Sequence, residues 1–164
     1  MDIIPLLNAS LMIQIHVFCA LLSMILVPVM LLRRKGDRLH KLIGRIWVLA
    51  MGLTALSSFA ITEIRIVGPF SPIHGLSILT LYSLVAAILT ARQGRIEAHK
   101  GHMLGAMTGL VGAGVFTFLP GRLMSTTFFQ GMEVAGFVGM LVLGAIGLIA
   151  WRIKLRSAVS IGTS

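Results

Sequence analysis

Acidic residues are scarce in this sequence: five Asp and Glu stand against fourteen Lys and Arg in 164 residues, and charged residues of both signs make up 12 %. A soluble domain carries roughly 25 %, so that class is excluded at the outset. Cysteine occurs once, at Cys19 in the middle of an apolar run. No internal disulfide can form, and the thiol reads as packing. No Cys-x-x-Cys, glycine-rich nucleotide loop or Ser/His/Asp order occurs, which leaves soluble hydrolase chemistry without residues to perform it. No basic n-region precedes the first apolar run, which is long for a signal peptide and is followed by a basic stop-transfer cluster; it is expected to stay as a span. Linkers, low-complexity tracts and second-domain signals are missing too, so residues 1–164 are expected to form one transmembrane domain.

What the chain has in abundance is apolar length, at 57 % of residues. Uncharged runs cover 11–32, 46–61, 73–91, 103–119 and 134–151, each near the ~20 residues with which an α-helix crosses ~30 Å of hydrocarbon. They predict an all-α integral-membrane helical bundle of five transmembrane helices, at roughly 9–32, 42–62, 72–92, 101–119 and 132–152. Ser71-Pro72 supplies a cap and a first-turn proline for the third span, and Pro120-Gly121 ends the fourth. Pro28 should kink the inner end of the first.

The net charge of +9 acquires its meaning from its distribution. Arg33, Arg34, Lys35, Arg38, Lys41 and Arg45 follow span one, Arg92, Arg95 and Lys100 follow span three, and Arg152, Lys154 and Arg156 follow span five. Only Arg65 and Arg122 fall on the other side. The positive-inside rule makes the rich side cytoplasmic, with the N-terminus outside and the C-terminus inside, as an odd number of spans requires. The basic stripe reads as a topology signal in contact with lipid headgroups, and no nucleic-acid partner is expected.

A repeat organises the same segments. His16 and His74 lie 58 residues apart, as do Gly36 and Gly94, and the His-Lys pairs at 40 and 99 lie 59 apart. The chain reads as a two-helix hairpin written twice. His16 precedes Arg33, and His74 precedes Arg92, by nearly the same length, which puts both about 26 Å above the basic belt. His40 and His99 lie within that belt. Alternate helices run parallel, so His16 is expected level with His74, and His40 level with His99. Intramembrane histidines are costly and point to function, although a lone one also serves as an interhelical hydrogen-bond partner. Two paired imidazoles at two depths suit two bis-histidine haems b, a ligation that favours electron transfer. Arg38, Lys41, Arg45 and Lys100 are candidate partners for inner haem propionates, and Arg65 or Arg122 for outer ones. His102 has no counterpart in the first hairpin, so His99 is expected to be the ligand and His102 the alternative.

Glycines crowd the later spans, among them Gly105 and Gly109 in G-x-x-x-G spacing with Gly112, Gly114, Gly136, Gly139, Gly144 and Gly147. They predict close helix packing and also leave room for a planar cofactor. Two other readings compete with haem. One is a cofactor-free accessory or assembly subunit of a larger membrane complex. The other is a Zn or Fe site on the basic face, from Asp37, His40, Glu97, His99 and His102.

The segments RRKGDRLHKLIGRIWVLA (33–50), FSPIHGLSIL (70–79), ARQGRIEAHKGHM (91–103) and FLPGRLM (118–124) resemble an uncharacterised family of predicted bacterial membrane proteins, the domain of unknown function 2306. That resemblance implies the bacterial inner membrane and carries little biochemistry. One His on each of four successive helices, with Ser-x-x-His-Gly at 71–75, looks more loosely like the cytochrome b-561 type of diheme transmembrane protein. It implies the pairs His16 with His74 and His40 with His99, and a quinone or a redox protein as partner. The hairpins here are shorter, a fifth span follows and no ascorbate-site motif is present, so neither donor nor acceptor carries over. The topology is directly testable: a reporter fused after Ser164 should be cytoplasmic and one before Met1 outside, and two termini on one side would refute five spans.

Overall fold

The computed structural model describes residues 4–61 and 72–142, and all regular structure among them is helical. The helices are α1 (Ile4–Leu7), α2 (Leu11–Leu32), α3 (Arg38–Ser58), α4 (Pro72–Arg92), α5 (Ile96–Thr117) and α6 (Leu123–Phe129), followed by α7 (Glu133–Val142). The chain divides into a unit running from Leu6 to Val115 and a second that holds the described residues from Phe116 onward.

In the first unit each hairpin turn has a local cause. Ser10 caps α2, its hydroxyl accepting from the Ile13 N–H at 3.4 Å. The helix runs out at Arg33, whose backbone is extended, and Gly36 takes a φ of +87° that a side chain would resist. Asp37 then caps α3, one carboxylate oxygen accepting the His40 N–H at 2.6 Å and the other the Arg33 guanidinium at 2.7 Å. At the second turn Gly94 has a φ of +74°. Arg95 N bonds Thr90 O at 2.9 Å and Gly94 N bonds Ala91 O at 3.2 Å, the paired bonds of a Schellman ending. Two residues later α5 begins.

Val27 and Met30 of α2, Trp47 and Met51 of α3, Leu84 and Ala87 of α4, and Met103, Ala106, Met107 and Leu110 of α5 form one buried core. Trp47 is fully enclosed and its indole N–H donates to the Ser23 carbonyl at 3.0 Å, pinning α3 to α2. That bond falls close to Pro28, which removes a donor from the ladder of α2. Small residues admit methionine tips: Met30 Cε lies 3.4 Å from where a Gly44 Cβ would be, and Met24 Cε occupies the place of a Gly114 Cβ. Of the expected G-x-x-x-G pair, Gly109 packs on Leu76 while Gly105 faces open space, as does Gly112. Close packing on α5 therefore runs through Gly109 and Gly114.

Phe18, Ile25, Leu49 and Leu79 are each more than half exposed, a surface suited to lipid. Helices α2, α3 and α4 are long and apolar enough to cross a membrane. Helix α5 has 22 residues, but its glycines with His99, Lys100 and His102 make it less apolar. Expected boundaries shift: α3 starts at Arg38 and ends at Ser58, and α5 starts at Ile96, because Asp37 and Gly94 fix the starts upstream of the uncharged runs. The stretch 62–71, with Ser71 and Arg65, lies outside the described residues, as do the second half of the fifth expected span, Gly144, Gly147 and the cluster Arg152, Lys154 and Arg156.

In the second unit the sequence expected a short loop after Pro120-Gly121, and the chain instead forms α6. Gly121 and Gly131 take φ values of +84° and +83° on either side of it. The Phe118 ring meets those of Phe128 and Phe129 at 5.6 and 5.9 Å, and the Gly121 N–H donates to Glu133 at 2.6 Å.

Two predictions follow from the pins of the first hairpin. Trp47→Phe should lose the bond to Ser23 at a cost of about 1 kcal/mol, and Trp47→Ala about 3–5 kcal/mol, read as unfolding in detergent. The His40 backbone N–H, and then Arg33, hold the Asp37 carboxyl below the usual carboxylate range. Its stabilisation is complete above the ordinary carboxylate pKa and drains away as pH falls through the lowered one. The melting temperature of Asp37→Ala should therefore lie below wild type at neutral pH, and the gap should close below about pH 4.

Candidate functional site

The five histidines sit at the two ends of the four-helix unit. At the end away from the basic turns, His16 on α2 places Nδ1 3.1 Å from the Ser57 hydroxyl on α3. The Ser57 hydroxyl also lies 2.7 Å from the Leu53 carbonyl and 3.1 Å from the Thr54 carbonyl. His16 is thus anchored to α3 through Nδ1, the nitrogen the hydroxyl meets, and Nε2 is the other nitrogen of the ring.

His74 on α4 is buried, its ring 5.5 Å from Phe59 and tilted by 34°. One turn on, Ser77 shares a 2.5 Å hydrogen bond with Ser58. His16 and His74 therefore reach the same turn of α3, residues 57–59, from the two helices beside it. Ser58 and Ser77 also bond back to their own helices, Ser58 to Ala55 O and Ser77 to Ile73 O. Sequence reasoning missed Thr54, Ser57, Ser58 and Ser77; the available signal was hydroxyl residues closing an apolar run at the level of the histidines.

At the basic end His40 lies in the first turn of α3 and His99 in the first turn of α5. His99 Nδ1 is 2.9 Å from the Ala87 carbonyl of α4. A carbonyl cannot donate, so His99 carries its proton on Nδ1 and turns out an unprotonated Nε2. Burial, and then the charge of Lys35, lower the pKa of His40 below the ordinary imidazole value. The Nδ1 atom of His40 is buried without a hydrogen-bond partner among the described residues. His102 instead sets its ring edge-on to Tyr82 at 6.1 Å.

A ligating imidazole is commonly anchored through the ring nitrogen that does not bind the metal, and His16 and His99, one member of each expected pair, are both anchored through Nδ1. The five-residue metal cluster is not assembled. Among the described residues no three His, Cys, Asp or Glu side chains stand where they would hold one ion. Asp37 is turned to Arg33 and its own helix start, and Glu97 to Lys100 at 2.6 Å. The same ion pair occupies Lys100, and the Arg122 guanidinium lies 4.7 Å over the Phe116 ring, so two of the expected propionate partners already have partners within the chain.

No curated protein matches the chain. No solved structure matches it either. Residues 13–154 match the family described as predicted membrane protein, DUF2306, a stretch that includes all five histidines and both hairpins. With most of its length inside that match, the chain belongs to the DUF2306 family of predicted membrane proteins.

Proposed function

We propose that the protein is a five-span b-type electron carrier of the bacterial inner membrane, with two bis-histidine haem sites: His16 with His74 at one depth, and His40 with His99 at the basic, cytoplasmic end. The observation that carries this reading is the shared anchoring of His16 and His99, each held through Nδ1 by an oxygen of a neighbouring helix, so that Nε2 is the nitrogen left for a ligand. A packing histidine gains as much from either ring nitrogen. A ligand gains only when the second nitrogen stays bare. The duplicated hairpin has support in the two turn glycines, Gly36 and Gly94, which share the left-handed φ and each precede a histidine on the next helix.

Haem held by these residues would supply one-electron chemistry. The chain's own residues perform the rest. Ser57 and the Ala87 carbonyl fix the planes of two imidazoles, and the buried Phe59–His74 contact restrains a third. Arg38, Lys41 and Arg45 at the basic end offer charge to propionates. A quinone or a redox protein is the partner class, and the lipid bilayer is the medium.

The purified protein should give a b-type reduced-minus-oxidised spectrum. His16→Ala and His74→Ala should each remove the same haem, about half the total, while His40→Ala and His99→Ala remove the other and His102→Ala keeps both. A colourless preparation from haem-replete cells would sink the proposal in favour of a cofactor-free subunit of a larger complex. Loss of different haems from His16→Ala and His74→Ala would break the pairing alone.

A further inference from the structure

Two nitrogens at the first hairpin turn are buried without a hydrogen-bond partner among the described residues: Arg33 Nε and His40 Nδ1. Both residues are tied to one carboxylate, Arg33 by its side chain and His40 by its backbone, since Asp37 accepts from Arg33 Nη2 and from the His40 backbone N–H. A guanidinium Nε–H can only donate. Acceptors are in short supply nearby: Glu97 is paired with Lys100, and the Leu31 and Arg33 carbonyls already receive Lys35 Nζ at 2.5 and 3.1 Å. Lys35 is the larger and Arg33 the smaller of the fixed positive charges that act on the His40 ring, and Asp37 alone opposes them. Donors exceed acceptors in a cationic notch, and the chemical complement is an anion with several oxygens.

We propose that the notch between Arg33 and His40 seats the phosphate of a phospholipid headgroup, with Arg33 Nε–H and His40 Nδ1–H donating to its oxygens. A lipid is favoured over soluble phosphate by what flanks the turn. Leu32, Leu39 and Leu42 are exposed beside it, Leu32 by 76 %, so an apolar track for acyl chains adjoins the polar notch. Arg33 keeps 29 % of its side chain exposed, so the guanidinium borders the surface where a headgroup would lie. The site is independent of the haem reading, because it uses His40 Nδ1 and leaves Nε2 free. The two are also compatible: Nδ1 of His16 rests on the Ser57 hydroxyl of α3 and that of His99 on the Ala87 carbonyl, and the headgroup supplies the missing acceptor for His40.

The test is native mass spectrometry of the delipidated protein in neutral detergent, titrated with dioleoylphosphatidylglycerol, with helicity and monodispersity checked for each variant. Wild type should retain one lipid. Arg33→Met and Arg33→Lys should each weaken it about tenfold, since both put a carbon where the Nε–H donor stood, while Arg34→Met, one position away with the same charge removed, should stay within about twofold. Arg33→Lys keeps the charge and a partner for Asp37, so it separates the site from folding. Retention by Arg33→Lys, or equal losses from Arg33→Met and Arg34→Met, would reduce the notch to a diffuse cationic belt and overturn the proposal. Displacement of the lipid by millimolar inorganic phosphate would assign the notch to a soluble anion and overturn the lipid. Loss of haem from Arg33→Met with lipid retention unchanged would give the donors to a haem carboxylate, and no retained lipid on wild type would end the idea outright.

Discussion

Hydrocarbon accepts no hydrogen bonds, and that constraint orders the four-helix unit more than any single contact does. Hydroxyls within the spans bond back to their own helices: Thr54 to Ala50, Ser57 to Leu53, Ser77 to Ile73, Thr90 to Ala86 and Thr108 to Leu104. Groups too long or too rigid for that must reach another helix. The Trp47 indole takes the Ser23 carbonyl, and His16 and His99 take oxygens of α3 and α4. Interhelical register is thus set at a few polar points, between which methionine tips fill what the glycines and alanines leave open. The exceptions are few and specific: Ser23, Ser125 and Thr127 hydroxyls, Arg33 Nε and His40 Nδ1 are the buried side-chain polar atoms without a partner among the described residues.

The two hairpin turns convert this packing into a placement of histidines. Asp37 starts α3 three residues before His40, and the Schellman ending at Gly94 starts α5 in time for His99 to fall in its first turn. Different devices, a carboxylate cap in one hairpin and a left-handed glycine ending in the other, deliver an imidazole to the same end of the unit. At the opposite end the histidines come from the opening turns of α2 and α4 and meet the closing turn of α3. Chemistry-bearing groups therefore occupy the ends of the unit, while its middle is Trp47, methionine and small residues.

Restraint of the imidazoles bears on function because neutral histidine exists in two tautomers, and only the environment chooses. The Ala87 carbonyl makes that choice for His99, and the Ser57 hydroxyl anchors His16 through the same ring nitrogen at the other end. The acids of the basic face make a different contribution. By closing on Arg33 and Lys100, Asp37 and Glu97 leave the neighbouring histidines without carboxylate competitors. In place of a mixed-ligand metal cluster stands a cationic rim around imidazoles.

The sequence alone determined that the protein is helical and belongs in a membrane, because apolar length and scarcity of acid are composition and need no contacts to read. It also placed both hairpin turns, since Gly36 and Gly94 stand where a left-handed backbone is required, and it singled out the four histidines by their spacing. Which of the glycines pack closely, that a helix follows Gly121, and that α3 and α5 begin upstream of their uncharged runs were decided by tertiary structure or by capping bonds that hydropathy does not register. The same holds for Ser57, Ser58 and Ser77: a serine in an apolar run looks identical whether it bonds only its own helix or also meets a neighbour's imidazole or hydroxyl. The anchoring of His16 and His99 through Nδ1, and the orphaned nitrogens of Arg33 and His40, depend on which oxygens of other residues lie within about 3 Å, and only the folded chain fixes those distances.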